Sequence, residues 1–196
     1  MNSYIHGDLL DKQDILIMEF EQRGSTRTYK AGETLFYQGE YSAELFLLTD
    51  GLVEQSFVNR EGKRIIFSLN MGLCILGMLQ MDGAPSPVSI FCLTDATFFV
   101  VKKKQLVAFS PACLASLVNY TVLETALLQQ HLRTTTLFDS PEKLGIIYEE
   151  YHRVSQSVPT CRKFSLTQWT IAELLGKSRT QVYNITHKTN CKGRNE

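Results

Sequence analysis

The pattern of hydrophobic and polar residues changes along the chain. Residues 8–20 carry apolar side chains at helical spacings with acidic residues between them, which predicts a short amphipathic N-terminal helix. From Thr26 to Val101 the pattern becomes that of short strands, and runs such as ELFLLT and RIIFSL alternate with turn signals. Strands at intervals of about 8–12 residues indicate an antiparallel barrel or sandwich. Its clearest hairpin is NREGKR, around Gly62.

A long helix is predicted after the strands, because no Gly or Pro interrupts the chain between Pro111 and Leu137. A stripe with alternating steps of four and three residues follows this helix: Leu114, Val118, Thr121, Thr125, Leu128, Leu132 and Thr135. The spacing is typical of a helix that pairs with another helix, so we favour coiled-coil dimerisation. Because three of the seven residues are threonines, packing on the strands of the same chain is the alternative.

A further helix is predicted over residues 141–154. Asp139 or Ser140 is placed to cap it, and Pro141 suits its first position. Its apolar face is expected to comprise Leu144, Ile147, Tyr148 and Tyr151.

Residues 165–185 predict two more helices joined by a tight turn. Thr167 is placed to cap the first helix, Gly176 to supply the positive φ at its end, and Ser178 to cap the second helix. This is the helix-turn-helix layout. The outward positions of the second helix suit base edges and phosphates. They are Arg179, Thr180, Gln181, Tyr183, Asn184 and Lys188.

The net charge of zero, from 20 Lys+Arg and 20 Asp+Glu, hides an asymmetry. Residues 1–159 hold 13 basic and 18 acidic side chains, whereas residues 160–196 hold 7 and 2. The chain therefore combines an acidic body with a basic end. This asymmetry favours DNA binding over a merely solvated polar helix, and it predicts that only the last 37 residues face the duplex.

Composition and cysteine spacing narrow the classes of protein. A hydrophobic content of 44% suits a packed globular chain, and five scattered cysteines without C-x-x-C spacing argue against a disulfide framework or zinc site. We find no signal-peptide pattern and no stretch approaching the roughly 18 apolar residues of a membrane span, so we expect a cytoplasmic protein. Residues 26–101 contain no histidine, which argues against a metal-dependent barrel enzyme. We expect no enzymatic activity, metal or cofactor.

On these motifs the chain resembles the cyclic-AMP receptor protein/FNR (CRP/FNR) family of bacterial transcription regulators. The resemblance runs from about Tyr29 to Lys192 and rests on YKAGETLFYQGEYSAELFLLTDGLVEQSFVNREGKRIIFSLNMG and, more specifically, on LTQWTIAELLGKSRTQV. It implies an α+β fold in which residues 1–110 form an N-terminal antiparallel β jelly-roll sensor domain of the cyclic-nucleotide-binding type. Residues 111–137 would then be the dimerisation helix and residues 138–196 the helix-turn-helix DNA-binding domain. The implied partners are a second copy of the chain, a palindromic double-stranded operator and RNA polymerase, with no membrane.

The resemblance also assigns roles by position. Arg179, Thr180 and Asn184 fall where family members contact bases. Thr167, Trp169 and Ser178 fall where they contact backbone phosphates. Thr180 and Asn184 stand where the family often has Glu followed by Arg, so we expect a different operator. Family members continue into a wing hairpin after this helix; we expect that wing to be absent or vestigial and its contacts to be replaced by a basic tail of Lys188, Lys192 and Arg194.

The sensor segment GLCILGMLQMDGAPSPVSIF lacks the features with which family members bind cyclic AMP. Gly77 is followed by Met78 rather than Glu, and no basic residue lies between 65 and 101 to pair with a phosphate. We therefore expect weak or absent cyclic-nucleotide binding. The N-terminal cysteine cluster of the oxygen-sensing members is missing, and the four histidines are expected at the surface or as caps rather than as haem ligands.

What remains is an apolar pocket suited to a small, weakly charged organic effector, although the same residues can simply fill the barrel. The candidates are Leu76, Gly77, Met78, Leu79, Ser86, Ser89, Ile90 and Gln129. Cys74 and Cys92 lie in apolar runs, where inert burial is the favoured interpretation.

The leading hypothesis is a homodimeric DNA-binding regulator. Its sensor would bind an effector other than cyclic AMP and change operator affinity through a hinge near Phe138–Pro141. The alternative is an effector-less or degenerate family member that acts as a protein-interaction module. Steep weakening of DNA binding with rising salt distinguishes the two.

Overall fold

The computed structural model describes residues 4–7, 15–80, 82–161 and 164–192, with the backbone alone for residues 159 and 188–192. The chain begins with strand β1 (Ile5–Gly7) and helix α1 (Ile15–Arg23). The strands that follow are β2 (Ser25–Tyr29), β3 (Thr34–Phe36), β4 (Glu44–Asp50), β5 (Leu52–Val58), β6 (Arg64–Met71), β7 (Cys74–Leu76), β8 (Ser89–Cys92) and β9 (Ala96–Lys102). The later helices are α2 (Pro111–Leu137), α3 (Ser140–Ser155), α4 (Gln168–Leu175) and α5 (Arg179–Lys192).

The strands form two sheets, in the orders β1-β6-β5-β8-β3 and β2-β9-β4-β7. Every pairing is antiparallel except that of β1 with β6. Because side chains alternate across each strand, one side of each sheet supplies the core between the sheets. That core includes Phe36, Phe46, Leu48, Val53, Ile90 and Phe98. The predicted α+β fold with an antiparallel jelly roll is confirmed.

The predicted hairpin joins β5 to β6. Gly62 has a φ of +77°, which a glycine adopts without steric cost. The side-chain oxygen of Asn59 accepts hydrogen bonds from the backbone N–H of Glu61 at 3.0 Å and of Lys63 at 2.9 Å. The turn is therefore held by its own residues.

Helix α1 packs its buried Leu16 and Phe20 against the N-terminal part of α2. It overlaps only the end of the helix predicted over residues 8–20, since residues 8–14, with Leu9 and Leu10, lie outside the described residues. Met18, on the other side of α1, is exposed.

Helix α2 begins and ends at the predicted residues, with Ser110 accepting a hydrogen bond from the backbone N–H of Cys113 at 3.2 Å. The buried stripe of α2 is different from the predicted one: Cys113, Leu117, Tyr120, Leu127 and Thr134. Its first three residues pack with α1 and the strands. The Tyr120 hydroxyl donates to the carbonyl of Ile75 at 3.0 Å and accepts from its N–H at 2.8 Å. The predicted stripe lies one position farther along the helix and faces outward, with Leu114, Val118 and Leu132 exposed. Packing on the strands of the same chain therefore does not explain it.

By length and composition alone, α2 would suffice to cross a membrane. No stretch approaching about 18 apolar residues is expected from the sequence; α2 has the mean hydropathy of a span although polar residues such as Asn119 and Glu124 interrupt it. Its inner stripe is used within the chain, against α1 and the sheets.

Helix α3 begins at Ser140 and is capped by Asp139, as one of the two predicted alternatives. The Asp139 carboxylate accepts from the N–H of Glu142 at 3.0 Å, and the Glu142 carboxylate accepts from the N–H of Asp139 at 2.9 Å. Leu144 and Ile147 are buried. Tyr148 is exposed, contrary to the prediction, because the inner face of α3 continues from Ile147 through Tyr151 to Val154.

Candidate nucleic-acid interface and sensor pocket

The two helices α4 and α5 and the turn 176–178, called the reader below, have the predicted local geometry. The Thr167 hydroxyl accepts from the N–H of Thr170 at 3.1 Å, and Gly176 ends α4 in the left-handed conformation with a φ of +62°. Ser178 and Gln181 bond reciprocally at the start of α5: the Ser178 hydroxyl accepts from the N–H of Gln181 at 3.3 Å, and the Gln181 side-chain carbonyl accepts from the N–H of Ser178 at 2.9 Å. These bonds fix where each helix begins and ends.

The apolar side chains of the reader hold the two helices together. Ile171, Ala172 and Val182 are buried with Leu144 of α3, and Leu175 and Ile185 pack partly against them. Leu174 instead joins a cluster that includes residues of β5 and β6. The reader is thus anchored both to α3 and to the sensor.

The outward face of α5 is polar. Arg179, Thr180, Gln181 and Asn184 are exposed, and the exposed Tyr183 ring stands edge-on to His187 with ring centroids 4.0 Å apart. Gln181 already uses its carbonyl oxygen in the helix cap, which leaves its amide N–H groups as donors. The side chains of Lys188 and Lys192, and all of Arg194, lie outside the described residues.

The side chains predicted to contact phosphates are distributed along α4 and the turn. Thr167 and Ser178 are both exposed, although each hydroxyl accepts a backbone hydrogen bond in its helix cap. Trp169 is also exposed, and the guanidinium carbon of Arg64 lies 5.2 Å from the centre of its ring.

A contact between the sensor hairpin and the reader was not predicted from the sequence. Arg64 forms ion pairs with both Glu54 of β5 and Glu173 of α4. The adjacent Lys63 donates its ammonium hydrogen to the carbonyl of Gly176 at 2.6 Å. Despite Arg64, burial raises the pKa of the Glu173 carboxyl above its ordinary value. The only sequence signal was the Lys-Arg pair after the hairpin turn, and it carries no information about a partner about 110 residues away.

A second contact joins the N-terminal strand to α2 and α3. The Glu150 carboxylate accepts from the N–H groups of Tyr4 at 2.9 Å and Ile5 at 3.2 Å. The rings of Tyr4 and His131 lie 4.8 Å apart. His6 is buried beside them, and burial, with the neighbouring His131, lowers its pKa from 6.5 to about 4. The expectation that the histidines lie at the surface or act as caps is therefore wrong for His6, because β1 is enclosed by the strands and helices around it.

The predicted effector pocket is present in part. Leu76, Gly77, Met78, Leu79, Ser86 and Ile90 line one cavity, together with Phe36, Gln55, Gln80, Pro87, Val88 and Glu124. Two predicted residues lie elsewhere. The Ser89 hydroxyl accepts from the N–H of Gln38 at 2.9 Å, and Gln129 is exposed on the outward face of α2. The long helix instead contributes Glu124, because that position belongs to the inner stripe.

The polar groups of this cavity are uncharged or easily neutralised. Gln80 is 1% exposed, and neither its side-chain oxygen nor its nitrogen has a hydrogen-bond partner. Burial raises the pKa of Glu124 to about 7, and no Lys or Arg lines the cavity. The space open to water-sized molecules is about 20 Å³, roughly the room of one water molecule. A larger molecule would enter only if the surrounding segments moved apart.

The described cysteines are buried rather than poised to react. Cys74 and Cys92 are buried thiols outside any disulfide, and burial raises the pKa of Cys92 to about 12, so its reactive thiolate is strongly disfavoured. Within the described ranges, no group of three or more His, Cys, Asp or Glu side chains is arranged to hold a metal ion.

The chain is similar to one family model and to several solved structures. The family model for the cyclic nucleotide-binding domain matches residues 26–110. The c-di-GMP-responsive global regulator CLP of Xanthomonas campestris is 16% identical with a TM-score of 0.73, covering 91% of this chain and 92% of its own. FixK2 from Bradyrhizobium japonicum is 14% identical with a TM-score of 0.69, covering 87% and 86%. A CRP/FNR-family transcriptional regulator from Thermus thermophilus is 17% identical with a TM-score of 0.67, covering 86% and 87%. No curated protein matches the chain significantly in sequence. At these identities the structures establish the shared fold.

Proposed function

We propose, from the premise that residues 26–110 are a cyclic nucleotide-binding domain and that the chain has the fold of the CRP/FNR regulators, that this protein is a cytoplasmic, DNA-binding transcription regulator. The resemblance inferred from the sequence is confirmed in the sensor domain and in the fold. The observation that carries the proposal is the capped reader, whose second helix exposes Arg179, Thr180 and Asn184 on one polar face. Such a helix is the element that enters the major groove in helix-turn-helix proteins.

The chemistry of this face supports sequence-specific binding. The Arg179 guanidinium can donate two hydrogen bonds to the O6 and N7 atoms of guanine, and the Asn184 amide matches the N6 and N7 atoms of adenine. Thr180 offers a hydroxyl and a methyl group to the bases between them. The hydroxyls of Thr167 and Ser178 fix the ends of the helices and suit contacts to the phosphate backbone.

The outward stripe of α2 supports a homodimer. Val118 is 61% exposed, and Leu114, Val122 and Leu132 are also exposed. Together with the threonines between them, they form an apolar stripe along the helix, which is the feature expected of a surface buried by a partner helix. Two identical chains paired along α2 would present two readers to a palindromic operator.

The cavity beside Gln80 supports a sensor for a small neutral molecule. A cyclic nucleotide would place its phosphate among side chains that include no cation, where it would lose charge-assisted hydrogen bonds. A molecule that both donates and accepts hydrogen bonds would satisfy the two partnerless atoms of Gln80. We assign the protein no enzymatic role, and RNA polymerase is a partner only by analogy with the family.

Binding of the predicted reader to DNA is directly testable. Arg179→Ala and Asn184→Ala are each expected to weaken binding to a selected operator by about 1–3 kcal/mol per half-site and to relax specificity at one base position in each half-site. The reason is that each removes a bidentate base contact while leaving both helix caps intact. A genomic selection at low salt supplies the operator, and titration of mutated sites measures the specificity.

The matched control is Lys177→Ala, which removes a positive charge from the turn but has no predicted base contact. It is expected to weaken binding to all sequences equally. Val118→Glu tests the dimer in the same assay, because a monomer would bind the full palindrome no more tightly than a half-site. Absence of selective binding by the wild-type protein would contradict the proposed function.

The role of Gln80 leads to a second expectation. Gln80→Leu is expected to abolish any change in operator affinity caused by a small-molecule extract of the host cells, because it removes an amide that has no partner within the protein and can both donate and accept hydrogen bonds. Operator titration with and without the extract measures the effect, with the exposed Gln129→Leu as control. If the extract changes the operator affinity of Gln80→Leu as much as that of the wild type, the sensor assignment fails.

A further inference from the structure

The sensor hairpin brings basic side chains to the turn of the reader. The β5–β6 hairpin contacts one face of α4. Arg64 lies against the ring of Trp169 and pairs with Glu173, and Lys63 donates a hydrogen bond to the carbonyl of Gly176. Trp169, Glu173 and Gly176 occur at steps of four and three, so they share one face of α4 and its cap. The start of β6 therefore lies beside the turn that precedes α5.

From this arrangement we propose that the hairpin tip is part of the DNA interface, with Arg60 and Lys63 contacting backbone phosphates beside the groove that α5 enters. The inference rests on the proposed DNA-binding function and extends it to a segment of the sensor domain. It replaces the expectation that only the last 37 residues face the duplex.

The position of Lys63 is the first argument. In helix-turn-helix proteins the N-terminal residues of the second helix contact the bases, while the first helix crosses the backbone, so the turn between them lies close to the phosphates. The Lys63 nitrogen is 2.6 Å from the carbonyl of Gly176 in that turn. An ammonium group has three donors, and this bond uses one of them. The two others are available to a phosphate, since Lys63 is exposed.

The distribution of charge is the second argument. Arg60, Lys63, Lys177 and Arg179 are all exposed. Lys63 contacts the turn that contains Lys177 and precedes Arg179, and Arg60 lies three residues before Lys63 in the hairpin turn. Arg64 adds little free charge because it is paired with Glu54 and Glu173. Glu61 is the only acidic residue between Asn59 and Arg64, which leaves the tip net positive. A positive tip would strengthen the attraction of the reader for phosphates and would not block them.

The salt dependence of DNA binding tests this inference. Arg60→Gln and Lys63→Gln are each expected to reduce the slope of log affinity against log salt by about 1.8, the value for two lost contacts to phosphates of duplex DNA, one from each subunit of the dimer. At 0.1 M salt each should weaken binding on the order of 25-fold to 100-fold, equally for the operator and for unrelated DNA. Lys104→Gln, which removes an exposed charge from the segment after β9, is the control and should leave the slope unchanged.

The outcomes separate the two proposals. If the wild-type protein binds DNA with a steep salt slope and neither hairpin variant changes it, the hairpin is not in the interface and the proposed function stands. If Lys63→Gln weakens binding without changing the slope, the residue only positions the reader, which overturns the inference. Tighter binding by either variant also overturns it. If the wild-type protein shows no salt-dependent binding to DNA, the proposed function itself fails.

Discussion

Replacing Arg64 by methionine is expected to lower the free energy of unfolding by about 3–5 kcal/mol, the usual effect of breaking a buried ion pair from one side. Glu54 is only 1% exposed and would be left as a buried carboxylate without its cation. Glu173 and the face of Trp169 would lose the same partner. Methionine retains much of the side-chain volume, so the loss reports mainly the charge. Urea unfolding at pH 7 measures it.

Two further variants make this expectation specific. Arg27 forms a two-pronged pair with Glu44, but its side chain is 38% exposed and that of Glu44 22%. Because solvent screens such a pair, Arg27→Met should cost no more than about 1 kcal/mol. Adding Glu54→Gln to Arg64→Met should recover most of the loss, since the buried charge is then gone. Equal losses for Arg27→Met and Arg64→Met would show that the buried pair has no special importance.

Acidification is expected to destabilise the protein through His6. The pKa of this histidine is lowered from 6.5 to about 4 by burial and by His131, while Asn70 opposes the shift through a hydrogen bond. Below pH 6.5 the unfolded chain binds a proton at this position and the folded chain does not, so the free energy of unfolding falls as the pH decreases. The loss is complete near pH 4 and amounts to about 3 kcal/mol.

The measurement is the free energy of unfolding between pH 7 and pH 4 for the wild type and for His6→Gln. Carboxylates such as Glu44, whose pKa is lowered by Arg27, also lose stabilising charge in acid, and taking the difference between the two proteins cancels their contribution. His6→Gln should show the weaker pH dependence by about 3 kcal/mol over this range. His187→Gln, an exposed histidine, should follow the wild type. Identical slopes for the wild type and His6→Gln would refute the assignment.

The parts of the fold that sequence patterns predicted are those set by neighbouring residues. The turn at Gly62, the caps at Ser178, Thr167 and Asp139, and both ends of α2 were all predicted at or beside the observed residues. Each depends on interactions within a few positions along the chain, such as a hydroxyl accepting from an N–H three residues later. The candidate reader was predictable for the same reason.

The sequence predicted that α2 has an apolar packing surface and that the sensor has a cavity, but it did not predict all the residues that form them. Two parallel apolar stripes run along α2, one residue apart, and periodicity alone does not tell which of them meets the sheets. The sequence offered Gln129 as the pocket residue of this helix, whereas Glu124 lines the cavity. A shift of one residue turns a helical side chain by about 100°, which is enough to move it from the core to the surface.

The sequence by itself determined the order of the elements, the residues that cap and turn them, and the polar face of α5, because these follow from local hydrogen bonding and from hydrophobic period. Only the tertiary structure decided which distant side chains meet. It placed Arg64 between Glu54 and Glu173, enclosed His6 near His131, and set Lys63 against Gly176. These contacts join residues roughly 110 or more positions apart in most cases, and they arise from the docking of the reader and β1 on the sensor sheet. The division at residue 159 into an acidic and a basic part holds for the order of charges along the sequence. On the surface of the folded protein, the basic hairpin tip lies beside the reader.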